Sequence, residues 1–168
     1  PNFANGHYNL GLSHLALGQL DAAANAFAEA VRLNSNSLSH YQLGCVLRQL
    51  NRHQEAIAAL ERVIPQDAPP TSPEYYAIEK LYGELDAEQM ANAYFNLGFA
   101  RNMLGLHQEA INAYRKALSI QPQLAPVRAR LAVSLLLAKD HNAAYQVYRD
   151  LGILAPDEAA KIAKFFDQ

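Results

Sequence analysis

The chain has 168 residues, is 51% apolar and carries a formal net charge of -2. That length builds one globular unit with a sizeable core, and the charge balance excludes a strongly basic face for nucleic acid. A single cysteine, Cys45, excludes an internal disulfide framework or a thiolate metal site.

No run of 18 apolar residues occurs, so no membrane span is expected. Alanine and leucine dominate while valine and isoleucine are scarce, which favours helix over sheet. The chain opens at Pro1 without an initiator Met, which predicts a fragment or processed form. No compartment is assigned; a soluble, cytoplasmic setting is favoured.

From the N-terminus onward the same elements recur. "YNLG" at residues 8–11, "YQLG" at 41–44 and "FNLG" at 95–98 each place a glycine where a helix interior is expected, at a cost of about 1 kcal/mol relative to alanine. Leu10, Leu43, Leu97 and Leu131 are each followed thirteen residues later by alanine: Ala23, Ala56, Ala110 and Ala144. Four further on stand Phe27, Leu60, Tyr114 and Tyr148, and three beyond those Ala30, Val63, Ala117 and Leu151. The leucines are 33, 54 and 34 residues apart, so one interval carries an insertion of about 20 residues.

Each unit reads as two helices. In the third, residues 87–104 form the first helix, Gly105-Leu106 the turn and 107–120 the second helix, which ends before Pro122.

This pattern resembles the tetratricopeptide repeat family, with repeats at about 4–36, 37–64, 91–124 and 125–158. The resemblance implies an all-α fold, a right-handed superhelical solenoid of helix-turn-helix pairs. The third unit, "ANAYFNLGFARNMLGLHQEAINAYRKALSIQPQL", fits the family pattern nearly throughout. Three positions depart from it: Ser35 replaces the usual proline, Ala132 the glycine and Arg128 an aromatic.

The insertion, residues 65–90, holds four prolines between Pro65 and Pro73, then a short helix capped by Ser72 and closed by Gly83. Asp86 caps the next helix. The segment is either a spacer or a docking element using Tyr75, Tyr76 and Tyr82, since aromatics are enriched at interfaces. A capping helix is expected at 157–167, opened by Asp157, with Ile162 and Phe165 packing and Phe166 partly exposed.

No catalytic constellation is present. His53, His107 and His141 share one site, at the turn into the second helix, and repeat geometry explains them without metal. His7 and His40 likewise share a site, and with His14 they lack a third ligand. Cys45 has no sequence neighbour that would activate its thiol. No cofactor, metal site or enzymatic activity is expected.

The resemblance implies that successive first helices line a concave groove. In the third repeat Tyr94, Leu97, Gly98 and Arg101 follow the i, i+3, i+4, i+7 rule and face the packing side. Asn92, Phe95, Asn96, Phe99 and Asn102 lie opposite. The matching sites are Asn5, Tyr8, Asn9 and Leu12 in the first repeat, Tyr41, Gln42, Cys45 and Arg48 in the second, and Arg130 in the fourth.

Asn9, Gln42 and Asn96 form a ladder of amides able to pair with a peptide backbone, and Tyr8, Tyr41, Phe95 and Phe99 give an aromatic lining. The rival explanation is that these aromatics serve helix packing. Chaperone-binding relatives clamp a C-terminal carboxylate with lysine and asparagine, but Tyr8 and Leu12 stand at the matching sites, so that clamp is absent. The expected function is an interaction scaffold that holds a peptide or helix of a protein partner in the groove. The alternatives are a substrate-recruiting region of a larger enzyme, such as a transferase, and a self-associating module.

Overall fold

The computed structural model describes residues 2–64 and 85–166, and all their regular structure is helical. Nine α-helices follow in order: α1 Asn2–Ala16, α2 Leu20–Leu33, α3 Ser37–Gln49, α4 His53–Leu60, α5 Ala87–Met103, α6 His107–Ile120, α7 Ala125–Leu137, α8 His141–Leu154 and α9 Pro156–Ile162. A short 3-10 turn, Ala163–Phe165, closes the order. The proposed helix at 73–83 and Tyr75, Tyr76 and Tyr82 lie outside the described residues.

Consecutive helices pack as antiparallel hairpins, α1 on α2, α3 on α4, α5 on α6 and α7 on α8. Each hairpin also stacks on the next through α2–α3, α4–α5 and α6–α7, giving a right-handed superhelical solenoid. The recurring alanines make the hairpins possible: Ala23, Ala56, Ala110 and Ala144 are all fully buried. Phe27, Leu60 and Tyr114 fill the space beside them.

The helical glycines are there for close approach. A methyl at Gly11 would sit 2.6 Å from the Phe27 ring, at Gly44 2.6 Å from Leu60, and at Gly98 2.7 Å from the Tyr114 ring. In the fourth hairpin Ala132 takes this place, and Tyr148 stacks instead on Phe166, with centroids 4.1 Å apart and planes 8° apart.

The turns inside the hairpins repeat as well. Gly18, Asn51, Gly105 and Lys139 hold the same position, and all have positive φ, between 59° and 78°. After α5, Leu106 N–H donates to the Arg101 carbonyl and Gly105 N–H to the Asn102 carbonyl. The same pair of bonds closes α1, α3 and α7. This is the left-handed termination that satisfies carbonyls otherwise orphaned at a helix end.

Asp86 caps α5 as expected. Its carboxylate accepts from Gln89 N–H at 2.8 Å, and Gln89 Oε1 accepts from Asp86 N–H at 3.1 Å. Arg101 faces the packing side and reaches Glu61 at 2.8 Å, tying α5 to the end of α4.

The C-terminal cap differs from expectation in three respects. The helix begins at Pro156 with Ala155 as its N-cap, so Asp157 sits within the first turn. It ends at Ile162 and tightens into 3-10 geometry. That tightening exchanges the two phenylalanines: Phe166 is buried (6% exposed) and Phe165 is 45% exposed. Tyr145 fixes the exchange by donating its hydroxyl to the Phe166 carbonyl at 2.9 Å.

Candidate partner-binding groove

Helices α1, α3, α5 and α7 carry the residues that the wheel assigns to the concave face. A depression of about 480 Å³ lies between α3 and α5. Its lining includes Tyr41, Gln42, Cys45, Arg48, Asn92 and Asn96, six of the residues singled out from the sequence. Leu15 closes it from the α1 side. Asp86, Glu88 and Gln89 also line it, and these sequence reasoning missed. Running the same wheel back one turn from Asn92 reaches Glu88 and Gln89.

The side chains of this face divide by what they touch. Asn5 and Asn9 are exposed, and Gln42 and Asn92 are half-buried. Among the described residues none of these four amides has a side-chain partner. Asn96 is different. It is 7% exposed, and its Nδ2 donates to Cys45 Sγ at 3.2 Å. Asn102 Oδ1 pairs with His107 Nδ1 at 2.7 Å, which ties the end of α5 to the start of α6. Two of the expected amides therefore hold the scaffold.

The aromatics divide similarly. Tyr8 lies against Phe27 with centroids 5.6 Å apart, and Phe95 against Tyr114 at 6.1 Å. These are the same pair of positions in two hairpins, so part of the aromatic lining is packing. Tyr41 is half-buried beside Cys45, and burial together with the neighbouring thiol raises its pKa. Burial pushes the Cys45 thiol up to about 11, although the Tyr41 hydroxyl and Arg48 pull the other way. Desolvation thus outweighs two neighbours that would activate the thiol, which favours its protonated form at neutral pH.

Phe99 has a different setting. The Arg48 guanidinium of α3 and the Arg130 guanidinium of α7 each lie 5.1 Å from its ring centroid, and the His53 ring lies at 6.2 Å. One aromatic on α5 thus joins three of the groove-lining helices by cation–π contact. Leu12, at the matching position on α1, is exposed. Among the described residues, no group of three His, Cys, Asp or Glu side chains is placed to hold a metal. No helix there is long and apolar enough to cross a membrane.

Two models of the tetratricopeptide repeat match the sequence, one over residues 8–73 and one over 91–124. The chain belongs to the tetratricopeptide repeat family. Arrays of this family are interaction scaffolds for other proteins, and this chain has that architecture. Among solved structures it is similar to a crystal structure of MamA protein, with a TM-score of 0.72 and 23% identity over 98% of this chain and 78% of that one. It is similar to MamA from Desulfovibrio magneticus RS-1, with a TM-score of 0.70 and 20% identity over 98% and 78%. The Cut9–Hcn1 hetero-tetramer of APC/C also matches, with a TM-score of 0.74 and 21% identity over 96% of this chain and 29% of that one. At these identities the likeness is one of fold. No curated protein sequence matches the chain.

Proposed function

We propose that this tetratricopeptide repeat array is a non-catalytic scaffold that binds a peptide segment of a partner protein along its concave face. The observation that carries the reading is the depression between α3 and α5. Six residues chosen for exposure on one stripe of each helix converge on it, and two of them, Gln42 and Asn92, keep amides without a side-chain partner among the described residues. Such amides both donate and accept, so they suit an extended backbone of varied sequence. Residues 65–84 belong to the insertion beside this face in sequence, and a docking role for Tyr75, Tyr76 and Tyr82 forms part of the same proposal.

The test is Gln42→Ala with Asn92→Ala, which spares the Phe95–Tyr114 and Asn96–Cys45 contacts. Peptides of twelve residues would be selected from a random display library on the wild-type chain and titrated against the double variant. A loss of about tenfold or more is expected, as for two hydrogen bonds of about 1 kcal/mol each. Gln108→Ala, on the exposed side of α6, should leave binding unchanged. Equal affinity for wild type and double variant would refute groove binding.

A second reading, self-association, rests on Phe3, Leu10 and Leu17. These three are seven residues apart on the first helix and the turn after it, and all are exposed. A molecular mass that stays monomeric by light scattering across a concentration series would exclude it.

A further inference from the structure

The Arg48–Phe99–Arg130 cluster holds more polar capacity than the chain uses. Among the described residues neither arginine has a carboxylate partner. Arg48 Nε is buried with no hydrogen-bond acceptor. His53 Nδ1, beside the same ring, is buried and unpaired. So is the hydroxyl of Tyr114, a fully buried residue. The Tyr114 phenol feels both arginines, which pull its pKa down against the larger upward push of burial. Two cations and the unpaired His53 nitrogen thus gather around the Phe99 ring, and the unpaired Tyr114 hydroxyl lies near enough to feel both cations.

An unpaired buried donor costs about 1–3 kcal/mol, and two guanidiniums at one ring repel each other. A group that removes both costs must be anionic and must accept several hydrogen bonds, which a carboxylate does by meeting an arginine fork with two oxygens. The scale of the groove suits a side chain on a bound segment. Charge narrows the choice further. Arg48 also borders the depression lined by Asp86 and Glu88, which would repel a second acid there.

Resting on the groove reading above, we infer that the partner is a peptide segment with one Asp or Glu side chain seated between Arg48 and Arg130 over Phe99, and no second acid toward Asp86 and Glu88. Arg130 occupies on α7 the position held by Asn9, Gln42 and Asn96 on the earlier helices. The amide ladder thus ends in a cation, and the acidic residue fixes the register of the segment on the ladder.

The experiment uses the full chain and positional-scanning pools of ten-residue peptides, each pool fixing one residue at one position. Wild type is expected to prefer Asp and Glu pools at one position by about tenfold, the range for one charge-assisted hydrogen-bonded contact. Arg48→Gln with Arg130→Gln should abolish that preference, so that the Asp and Glu pools bind no more tightly than the neutral pools. Arg48→Lys with Arg130→Lys should restore part of it, because charge returns without the fork.

Peptide binding with no acidic preference, or with a preference that survives the glutamine variant, would overturn this inference and leave the groove reading standing. A preference for acid at every position would also overturn it, as would arginine-dependent binding of a poly-uridine oligonucleotide in place of peptide. Failure to bind any pool would overturn both. Circular dichroism melts of each variant identify any loss that comes from misfolding.

Discussion

Gly98 and Gly105 lie seven residues apart, within and just after α5, and serve unrelated ends. Gly98 sits on helical backbone, and it is space that forbids a side chain there: a methyl would meet the buried Tyr114 ring at 2.7 Å. Gly105 has nothing within 4 Å of a built methyl, and there it is the φ of 78° that disfavours other residues. Gly98→Ala therefore gains about 1 kcal/mol of helix propensity and loses about 1–3 to overpacking, because a fully buried ring cannot retreat. A net loss of up to about 2 kcal/mol is expected in a denaturant titration. Gly6→Ala is the control, since that glycine is exposed in α1 with open space around it, and a gain of about 0.5–1 kcal/mol should follow. If Gly98→Ala proves as stabilising as Gly6→Ala, the close approach of α5 and α6 is wrongly assigned. The sequence carries this feature openly, because glycine recurs at Gly11, Gly44 and Gly98 with a large residue sixteen positions on. It does not carry the fate of Asn96. An amide on the groove stripe looks free on a helical wheel, yet superhelical curvature brings α3 close enough for Cys45 Sγ to accept its hydrogen bond. Contacts between separate helices follow from that curvature, which no single helix encodes. The Arg48–Phe99–Arg130 cluster was illegible for the same reason, though all three residues had been assigned to the groove.

At the scale of the element, the hairpin turn is the most regular feature of the chain. Four turns adopt one left-handed termination, and its single demand, a positive φ, is met by three residue types at Gly18, Asn51, Gly105 and Lys139. Glycine takes positive φ freely, asparagine tolerates it, and lysine bears a cost of about 1–2 kcal/mol. Lys139 is exposed, so its side chain contributes little packing to offset the strain. Lys139→Gly should raise stability by about 0.5–1 kcal/mol, the relief of strain less the added freedom of the unfolded chain. Gly105→Ala should lower it by about 1 kcal/mol, despite the open space around it. Thermal melts of the two variants check both signs, and a neutral Lys139→Gly would mean that the fourth turn relaxes out of its left-handed state in solution. The helix limits themselves were well marked by such punctuation, as with Asp86 before α5 and Gly105 after it. The final helix was misjudged at both ends because Pro156 at its first position leaves the capping role to Ala155, and because tertiary contacts decide where it tightens.

For the whole molecule, stability in a stacked array is close to a sum of hairpins and their shared faces, so a defect should act near where it is made. The C-terminal end offers a clear case. Phe166 is buried against Tyr148 and Tyr145, and its carbonyl accepts from the Tyr145 hydroxyl. The fourth hairpin leans on this ring, because Tyr148, at the position of Phe27, Leu60 and Tyr114, is only partly buried and stacks on Phe166. Phe166→Ala removes the stack and opens a cavity, which costs about 3–5 kcal/mol for a phenylalanine in a core. In a globular core that loss would lower protection everywhere. Here α8 and α9 should lose amide protection first and most, while α3 to α6, held by their own alanine and glycine contacts, keep theirs. Hydrogen exchange read by mass spectrometry on the variant distinguishes the two. A uniform drop across all helices would show that the array unfolds as one cooperative unit; a drop confined to residues 141–166 would leave the depression between α3 and α5 intact.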